Sequence, residues 1–362
     1  MRIHNFSAGP GALPESVLRE AQVDLFCHGE SGIGITECSH RSPQFDEVIE
    51  GAKSRIHRLL GLDEDQVVLF LHGGARSQFY MWPMNTLKGG RAAYIDTGHW
   101  SRLAAKDAAR YGDVDTIFSA HEAQDTYVPK EDGPFQVDPS TRYVHYTSNN
   151  TIAGTEFHYI PQSSAGGLVC DMSSNFLSRP IDGSKFEFIY AGAQKNVGPS
   201  GTTVVIVRKS SLDACDKDIP DMLRYDIQVN KQGMLNTPTT FSIYMIDRVT
   251  SWIEAQGGLE AIEAKNIAQA DRLYATIDRS PLFQGRVQQS SRSRMNLTFT
   301  TADPDLDTRF WQSAAREGLS GLKGHRSMGG LRASLYNAQT DEAVDALIAY
   351  MNHFEHHAME NR

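Results

Sequence analysis

The sequence has no stretch that approaches the roughly 18 consecutive apolar residues of a membrane-spanning helix. The apolar run TTVVIVR, at residues 202–208, has only the length of a strand. The N-terminal residues MRIHNFSAGPGALPESVLRE lack the apolar core of a secretory signal peptide. We therefore expect a protein that neither spans nor binds a membrane and that works in the cytoplasm.

Cysteine is scarce, since the 362 residues contain only four. No two of them stand at the Cys-x-x-Cys spacing of zinc and redox motifs. They are Cys27, Cys38, Cys170 and Cys215. We expect reduced thiols, as is usual in a cytoplasmic protein.

Positive charge is outnumbered, because 35 Lys and Arg face 44 Asp and Glu and give a net charge of −9. This excess of acid argues against nucleic acid as a partner, because surfaces that bind its phosphates are basic. It leaves room for a small anionic substrate in a local basic pocket. The glycine motifs GxGxxG and GxxxxGK[ST] are absent too, so no motif supports a dinucleotide site or a P-loop.

The length of 362 residues exceeds what one hydrophobic core usually supports, so we expect a large domain and a smaller one. The first part alternates β-branched runs with helical stretches, which is typical of an α/β protein with a mostly parallel sheet. Its predicted strands are QVVLFLHGG, AAYIDTG, RYVHYTSNN, GLVCDMSS, FEFIYAGAQ and TTVVIVRK. After about residue 238 the pattern becomes helical, and the last hundred residues alternate strands with helices, which predicts a small α+β domain.

Chemically distinctive residues follow the carboxyl ends of these predicted strands, where open α/β sheets bind their ligands. Taken singly they have ordinary explanations: turn glycines, a tryptophan packed on a helix, an aspartate that caps a helix, a lysine in solvent. In strand order they are Gly74, Ala75 and Arg76, then Trp100, then Thr151, then Asp171 and Ser173, and finally Gln194 and Lys195.

Together these residues match one cofactor, pyridoxal 5′-phosphate (PLP). The amine of Lys195 suits a Schiff base with the aldehyde of PLP. The carboxylate of Asp171 suits the protonated pyridine nitrogen and keeps the ring an electron sink. The ring of Trp100 can stack on the pyridine. The Gly-Gly junction before a helix offers backbone N–H groups to the phosphate, and the glycines around Lys195 let the backbone approach the cofactor.

Motifs along nearly the whole chain carry a family resemblance: NFSAGPGALPESVL, ECSHRS, LHGGARSQF, IDTGHW, SNNTIAG, DMSSNFLSRPID, YAGAQKNVGPSG, MLNTPTTF, SRSRMNLTF and LKGHRSMGGLRASLYNA. By these motifs the chain resembles the phosphoserine aminotransferase family, class V enzymes of PLP fold type I. The combination of AGAQKN with two His-Arg dipeptides is the most specific part. The resemblance implies an N-terminal segment near the active site (1–14), a large PLP-binding domain (15–253) and a small α+β domain (254–362).

The resemblance also implies a role for individual residues and no metal. Lys195 and Asp171 are the catalytic pair. The cofactor contacts besides these two are Gly74, Ala75, Arg76, Trp100, Thr151, Ser173 and Gln194. The resemblance also implies a homodimer whose active sites lie at the subunit interface. In this homodimer Asn236 and Thr237 of the partner subunit contact the cofactor as well. The substrate-binding residues are His40, Arg41, His325, Arg326 and Arg332, the last of them at the α-carboxylate.

The implied reaction is reversible amino transfer from L-glutamate to 3-phosphohydroxypyruvate, giving O-phospho-L-serine and 2-oxoglutarate in serine biosynthesis, with pyridoxine biosynthesis as an associated pathway. Two positions depart from the family pattern. Ala75 stands where many members have a third glycine, but a backbone N–H needs no glycine unless φ is positive, so we expect the phosphate site to persist. Ala8 stands where some members have a second serine, which leaves a substrate contact through that side chain open.

Other interpretations explain less of the sequence. A class V aminotransferase for a non-phosphorylated 2-oxo acid, of the serine or alanine–glyoxylate type, leaves the two His-Arg dipeptides unexplained. A cysteine desulfurase needs a thiol in the C-terminal third, but no cysteine follows Cys215. A cofactor-binding protein without turnover does not need the full set of catalytic residues. We interpret the histidines of NHFEHH (His353, His356 and His357) as a solvated helix face and not as a metal site.

Overall fold

The computed structural model describes residues 2–360, so Met1 and residues 361–362, which the expected first and last domains include, lie outside the described residues. No helix in the described range is long and apolar enough to cross a membrane. The strands are β1 His4–Asn5, β2 Gln66–His72, β3 Arg91–Asp96, β4 Asp113–Ser119, β5 Thr141–Thr147, β6 Asn149–Asn150, β7 Thr155–Glu156, β8 Gly167–Asp171, β9 Phe188–Gly192, β10 Thr202–Arg208, β11 Gln284–Gly285, β12 Asn296–Thr300, β13 Leu319–Ser320 and β14 Leu331–Ser334. The α-helices are α1 Glu15–Asp24, α2 Pro43–Leu59, α3 Gln78–Thr86, α4 His99–Ala108, α5 Tyr225–Asn230, α6 Thr240–Ala255, α7 Gly258–Arg279, α8 Pro304–Arg316 and α9 Asp341–Glu360.

The central sheet has seven strands in the order β2-β10-β9-β8-β5-β3-β4. Its neighbours pair in parallel except at β10, which runs antiparallel to both β2 and β9. Because β10 lies between them, β2 and β9 point the same way, and the carboxyl ends of β2, β3, β5, β8 and β9 meet at one edge. The predicted mostly parallel sheet is confirmed.

Both faces of the central sheet are buried. In β10, Val204 and Ile206 pack into one apolar cluster, whereas Val205 and Val207 pack into a second cluster on the other face. None of the four is more than 1% exposed. Successive side chains of a strand point to opposite faces, so a strand covered on both sides becomes a continuous apolar run such as TTVVIVR.

The C-terminal part forms a smaller layer, in which the antiparallel sheet β11-β12-β14 packs on α7, α8 and α9. Its core surrounds Phe310, whose fully buried ring lies edge to face with Phe283 and Phe354 at centroid distances of 5.2 and 5.1 Å. This α+β layer beside the larger α/β layer confirms the predicted fold class.

The N-terminal segment joins the C-terminal layer and not the central sheet. Strand β1 pairs in parallel with β13, and Phe6 is fully buried in the core of the C-terminal layer. Helix α6 continues to Ala255 before Gly257 takes a left-handed conformation, slightly beyond the expected boundary at residues 253–254. The division into 1–14, 15–253 and 254–362 stays a prediction.

The C-terminal histidines lie on α9, as their spacing predicts. His353 and His357 pack edge to face with their centroids 4.4 Å apart, and the Nε2 of His356 lies 3.1 Å from a carboxylate oxygen of Glu360. Between residues 2 and 360, no group of three or more His, Cys, Asp or Glu side chains has the arrangement of a metal site.

Phe310→Ala is expected to lower the free energy of unfolding by about 3–5 kcal/mol, because removing a buried aromatic ring loses apolar contact and leaves a cavity. Urea denaturation followed by circular dichroism measures the change. Met359→Ala, at an exposed position of α9, should change the same quantity by less than about 0.5 kcal/mol. Equal losses in the two variants would contradict the central place of Phe310 in this core.

Candidate active site

A cavity of 170 Å³ lies at the edge of the sheet where the carboxyl ends of the parallel strands meet. It contains most of the residues that the sequence predicted to bind a cofactor, together with four others. Its walls are Gly74, Ala75, Arg76, Phe79, Trp100, Thr147, Asn149, Thr151, Asp171, Ser173, Ser174, Gln194 and Lys195.

Lys195 follows β9 in a tight turn, closed by a hydrogen bond of 2.9 Å from the backbone N of Gly198 to the O of Ala193. The Nζ of Lys195 donates to the Oγ1 of Thr151 at 2.7 Å and to the Oγ of Ser174 at 2.8 Å. Desolvation lowers the pKa of Lys195 to about 8, with Asp171 opposing the change and Arg332 adding to it. The amine therefore loses its proton much more readily than a solvated lysine.

Glycines bring the N-terminal segment against this turn. The backbone N of Gly11 donates to the O of Gln194 at 2.8 Å. A Cβ on Gly11 would lie 2.9 Å from the O of Lys195 and 2.6 Å from a ring carbon of Tyr336, so a larger residue does not fit. The hydroxyl of Tyr336 in turn donates to the O of Ala8 at 2.6 Å. The close approach thus places the N-terminal segment beside the lysine.

Asp171 is the last residue of β8 and is only 5% exposed. Its Oδ1 accepts a hydrogen bond of 2.9 Å from the backbone N of Ser173. Burial raises the pKa of Asp171, although the nearby Lys195 and the hydrogen bond of Ser173 oppose the rise. Any further cation or N–H donor in the cavity would stabilise the charged form of this buried carboxylate.

Trp100 reaches the cavity from the first turn of α4. The chain turns from β3 into this helix because the Oγ of Ser101 accepts hydrogen bonds from the backbone N of Thr97 and of Gly98, at 3.1 and 3.0 Å. The indole Nε1 of Trp100 is buried and has no hydrogen-bond partner among residues 2–360, and the same is true of the hydroxyl of Thr147. Unpaired buried donors are costly, so these atoms indicate a site that a polar ligand completes.

The junction between β2 and α3 forms the opposite wall. Gly73 has a φ of +94°, which favours glycine, and its O accepts a hydrogen bond of 3.1 Å from the Oγ1 of Thr203. A short 3₁₀ turn, Ala75–Ser77, then leads into α3. Arg76 is exposed and forms no ion pair with a carboxylate in the described part of the chain. The backbone N–H groups of residues 74–76, at the start of this turn, and the guanidinium of Arg76 suit an anion.

Arg332 extends from β14 of the C-terminal layer to the margin of the cavity. Its Nη1 donates to the O of Thr151 at 2.9 Å, and its Nε is buried with no hydrogen-bond partner in the described part of the chain. Burial lowers the pKa of Arg332, with Tyr336 opposing. The guanidinium therefore still has donors for a substrate anion next to the lysine.

Other predicted site residues do not line this cavity within one chain. Asn236, Thr237 and Arg41 are exposed, and His40 is half-buried. His325 and Arg326 lie on the loop of residues 323–330, where the Nδ1 of His325 is 2.7 Å from the Oγ of Ser327. The roles of all these residues, as of those in the cavity, stay predictions.

Sequence reasoning missed four residues of the cavity wall: Phe79, Thr147, Asn149 and Ser174. Thr147 ends β5 and Asn149 follows it, so the rule that identified Thr151 could have found them. Ser174 directly follows Ser173 in DMSSNF, but the sequence does not tell which of two adjacent turn side chains points into a cavity.

The sequence matches the family Aminotransferase class-V over residues 3–347, and the chain belongs to this family of aminotransferases. Its relatives include phosphoserine aminotransferases. That of Desulfatibacillum aliphaticivorans is 47% identical over 98% of both chains.

Solved structures of phosphoserine aminotransferases have the same fold. That from Bacillus circulans subsp. alkalophilus superposes with a TM-score of 0.95 at 43% identity, covering 99% of both chains. The PLP-bound enzyme from Trichomonas vaginalis has a TM-score of 0.91 at 38% identity, covering 97% of this chain and all of the other.

In protein freed of any cofactor, Lys195 is expected to react with trinitrobenzenesulfonate along a pH titration with its midpoint near 8, because only the neutral amine attacks. Asp171→Asn should move the midpoint down, since it removes the carboxylate that stabilises the ammonium. Arg332→Gln should move the midpoint up, since it removes a neighbouring cation. Peptide mapping of the modified Lys195 at each pH gives the rates.

A midpoint near the ordinary lysine value of 10.5 would contradict the desolvated environment of the amine. Shifts of the same sign in both variants would contradict the opposing effects of the two charges.

Proposed function

We propose that the protein catalyses the reversible transfer of the amino group of L-glutamate to 3-phosphohydroxypyruvate, giving O-phospho-L-serine and 2-oxoglutarate. One observation carries the proposal: an amine of lowered pKa and a buried carboxylate line one cavity, and an arginine bonds Thr151 at its wall, in a chain that is similar to phosphoserine aminotransferases over 98% of its length. No observation favours the alternative, an aminotransferase for a non-phosphorylated 2-oxo acid.

PLP is the cofactor that fits the cavity. The unpaired donors of Trp100 and Thr147 and the buried carboxylate of Asp171 call for a ligand with polar atoms and a cationic nitrogen. Lys195 would hold its aldehyde carbon, Asp171 its ring nitrogen, and the backbone of residues 74–76 its phosphate. When bound, PLP supplies an aldehyde that takes up amines and a ring that stabilises negative charge on the carbon next to the substrate nitrogen.

Lys195 is the proton carrier of the proposed reaction. A pKa of about 8 leaves both the neutral and the charged amine well populated near neutral pH, as an acid–base group requires. The hydroxyls of Thr151 and Ser174 keep the amine at the wall of the cavity through their hydrogen bonds. From there Lys195 would take the proton from the Cα of the amino acid substrate.

Arginines would hold the two ends of the substrate. Arg332, anchored by the O of Thr151, suits the α-carboxylate, because a guanidinium matches two carboxylate oxygens. His325 and Arg326, with His40 and Arg41 of the partner subunit, would hold the distal phosphate, or the side-chain carboxylate of glutamate. Such convergence gathers positive charge in a protein of net charge −9.

The assembly and setting form part of the proposal. The exposure of Arg41, Asn236 and Thr237 in a single chain, with His40 half-buried beside Arg41, supports a homodimer in which these residues complete the site of the partner. The four free cysteines support a cytoplasmic enzyme. The similarity to phosphoserine aminotransferases supports a place in serine biosynthesis, with pyridoxine biosynthesis associated. A large domain of residues 15–253 would carry the cofactor and a small domain from residue 254 would carry Arg326 and Arg332.

Borohydride treatment of the PLP-loaded protein should attach the pyridoxyl group to Lys195, because its neutral amine faces the cavity. Peptide mapping identifies the labelled residue. Lys195→Ala should abolish formation of O-phospho-L-serine from glutamate and 3-phosphohydroxypyruvate. Lys209→Ala, at an exposed position after β10, should leave that rate unchanged. Label on Lys185 or Lys209 would overturn the assignment of Lys195.

Arg326→Ala is expected to lower kcat/KM for 3-phosphohydroxypyruvate, since a charge-assisted contact contributes about 1.5–3 kcal/mol. That corresponds to roughly one to two orders of magnitude in rate. The value for pyruvate, which has no phosphate, should fall far less. Steady-state kinetics on both acids measures the difference, with Arg309→Ala on α8 as a control of equal charge change. An equal loss on both acids would exclude a phosphate contact for Arg326.

A further inference from the structure

A second cavity, of 690 Å³, lies between the two layers of the protein beside the candidate active site. His99 lines this cleft and the neighbouring Trp100 lines the cofactor cavity, and the two rings pack edge to face at 5.0 Å. The cleft and the cofactor cavity therefore lie on opposite sides of this pair of rings, and no residue lines both of them. The residues of the cleft that carry the argument are His99, Arg102, Asp125, Arg286, Ser327 and Met328.

The carboxylates near the cleft are already paired. Arg102 donates to both oxygens of Asp125, at 2.8 and 2.6 Å, and to both oxygens of Asp96, at 3.1 and 3.3 Å. The contact with Asp125 is fork-to-fork, whereas Nη1 alone reaches Asp96. Both aspartates thus accept hydrogen bonds from Arg102, and together they carry one more negative charge than this arginine balances.

Arg286 follows β11 and enters the cleft from the C-terminal layer without an acidic partner among residues 2–360. Its Nη1 donates to the O of Met328 at 2.6 Å, which accounts for one of the five N–H donors of a guanidinium. Arg286 therefore carries its charge into the cleft without an ion pair to any carboxylate of residues 2–360.

His99 faces the same cleft from α4 in a basic setting. Desolvation lowers the pKa of His99. The charges of three arginines (Arg102, Arg76 and Arg326) lower this pKa further, and the carboxylate of Asp125 opposes the change. The ring of His325 lies 6.2 Å away by centroids. The remaining titratable group of the cleft is His121, which lies beyond β4. An anion beside this imidazole would favour its protonated form.

We propose that this cleft is a second anion-binding site, in which Arg286 and His99 hold a phosphate-like oxyanion, either free or as part of a phosphomonoester. The two groups approach from different layers, and neither forms an ion pair with a carboxylate of residues 2–360. Planar guanidinium donors and a protonated imidazole suit tetrahedral oxyanions.

The site would also act on the loop of residues 323–330. Arg286 bonds the O of Met328, and Ser327 contacts His325, so an anion held by Arg286 would steady the loop that carries Arg326. Anion binding itself does not depend on the proposed reaction, whereas any effect on activity rests on the proposed function.

Calorimetric titration of the PLP-loaded protein tests the site, with inorganic phosphate in one arm and glycerol 3-phosphate in the other. The wild-type chain is expected to bind two phosphates. Arg326→Gln should remove one of them, and Arg286→Gln should weaken the other about tenfold while sparing the first. His99→Gln, on the opposite wall, should weaken that same phosphate. Arg309→Gln, an exposed arginine on α8, is the control of equal charge change and should alter neither.

A single phosphate per wild-type chain that Arg326→Gln removes, or binding that is unchanged in both Arg286→Gln and His99→Gln, would overturn the proposal. Tighter binding of glycerol 3-phosphate at the Arg286-dependent site would identify a phosphomonoester as the ligand, and tighter binding of phosphate would identify the free anion. If the wild-type protein binds phosphate at the Arg286-dependent site but does not transaminate 3-phosphohydroxypyruvate, the proposed function is wrong and the anion site is still supported.

Discussion

The desolvated amine of Lys195 is the group on which the rest of the site depends. Removing water from the ammonium lowers its pKa to about 8, and the hydroxyls of Thr151 and Ser174 fix its position. An amine of this kind attacks a carbonyl carbon and carries a proton near neutral pH, which a solvated lysine does poorly. Because Asp171 and Arg332 shift that pKa in opposite directions, the chemistry of the lysine is set by charges from both layers of the protein.

Polar contacts between the layers keep these groups in place. The backbone N of Asn337 donates to the Oδ1 of Asn196, the neighbour of Lys195, at 2.9 Å, and its Nδ2 donates to the O of Leu177 at 2.7 Å. Leu177 has a φ of +53°, a conformation that costs a residue with a side chain roughly 1–2 kcal/mol. Such a conformation persists where surrounding contacts hold it, as the bond from Asn337 does here.

Although the protein as a whole is negatively charged, positive charge is concentrated locally around the cofactor cavity and the neighbouring cleft. Arg102 is matched by two carboxylates, whereas Arg76, Arg286 and Arg332 form no ion pair within residues 2–360. Those unmatched arginines lie around the two neighbouring cavities. A net charge of −9 therefore does not exclude anionic ligands, because the potential inside a cleft depends on the groups that line it.

The sequence by itself determined six of the seven strands of the central sheet and much of the site at their ends. Strands such as β8 and β9 are buried on both faces and must be continuous apolar runs, so the polar residues that end them are visible in the sequence. The edge strand β4 was not predicted, because it is half-exposed and its sequence DVDTIFS is interrupted by Asp113 and Asp115. Only the tertiary structure decided that Ser174 faces the amine and that Arg286 remains without a carboxylate. The direction of a side chain in a turn depends on the backbone torsions, and the ion pairs of a charged residue depend on which distant segments pack against it. The local pattern of residues determines neither.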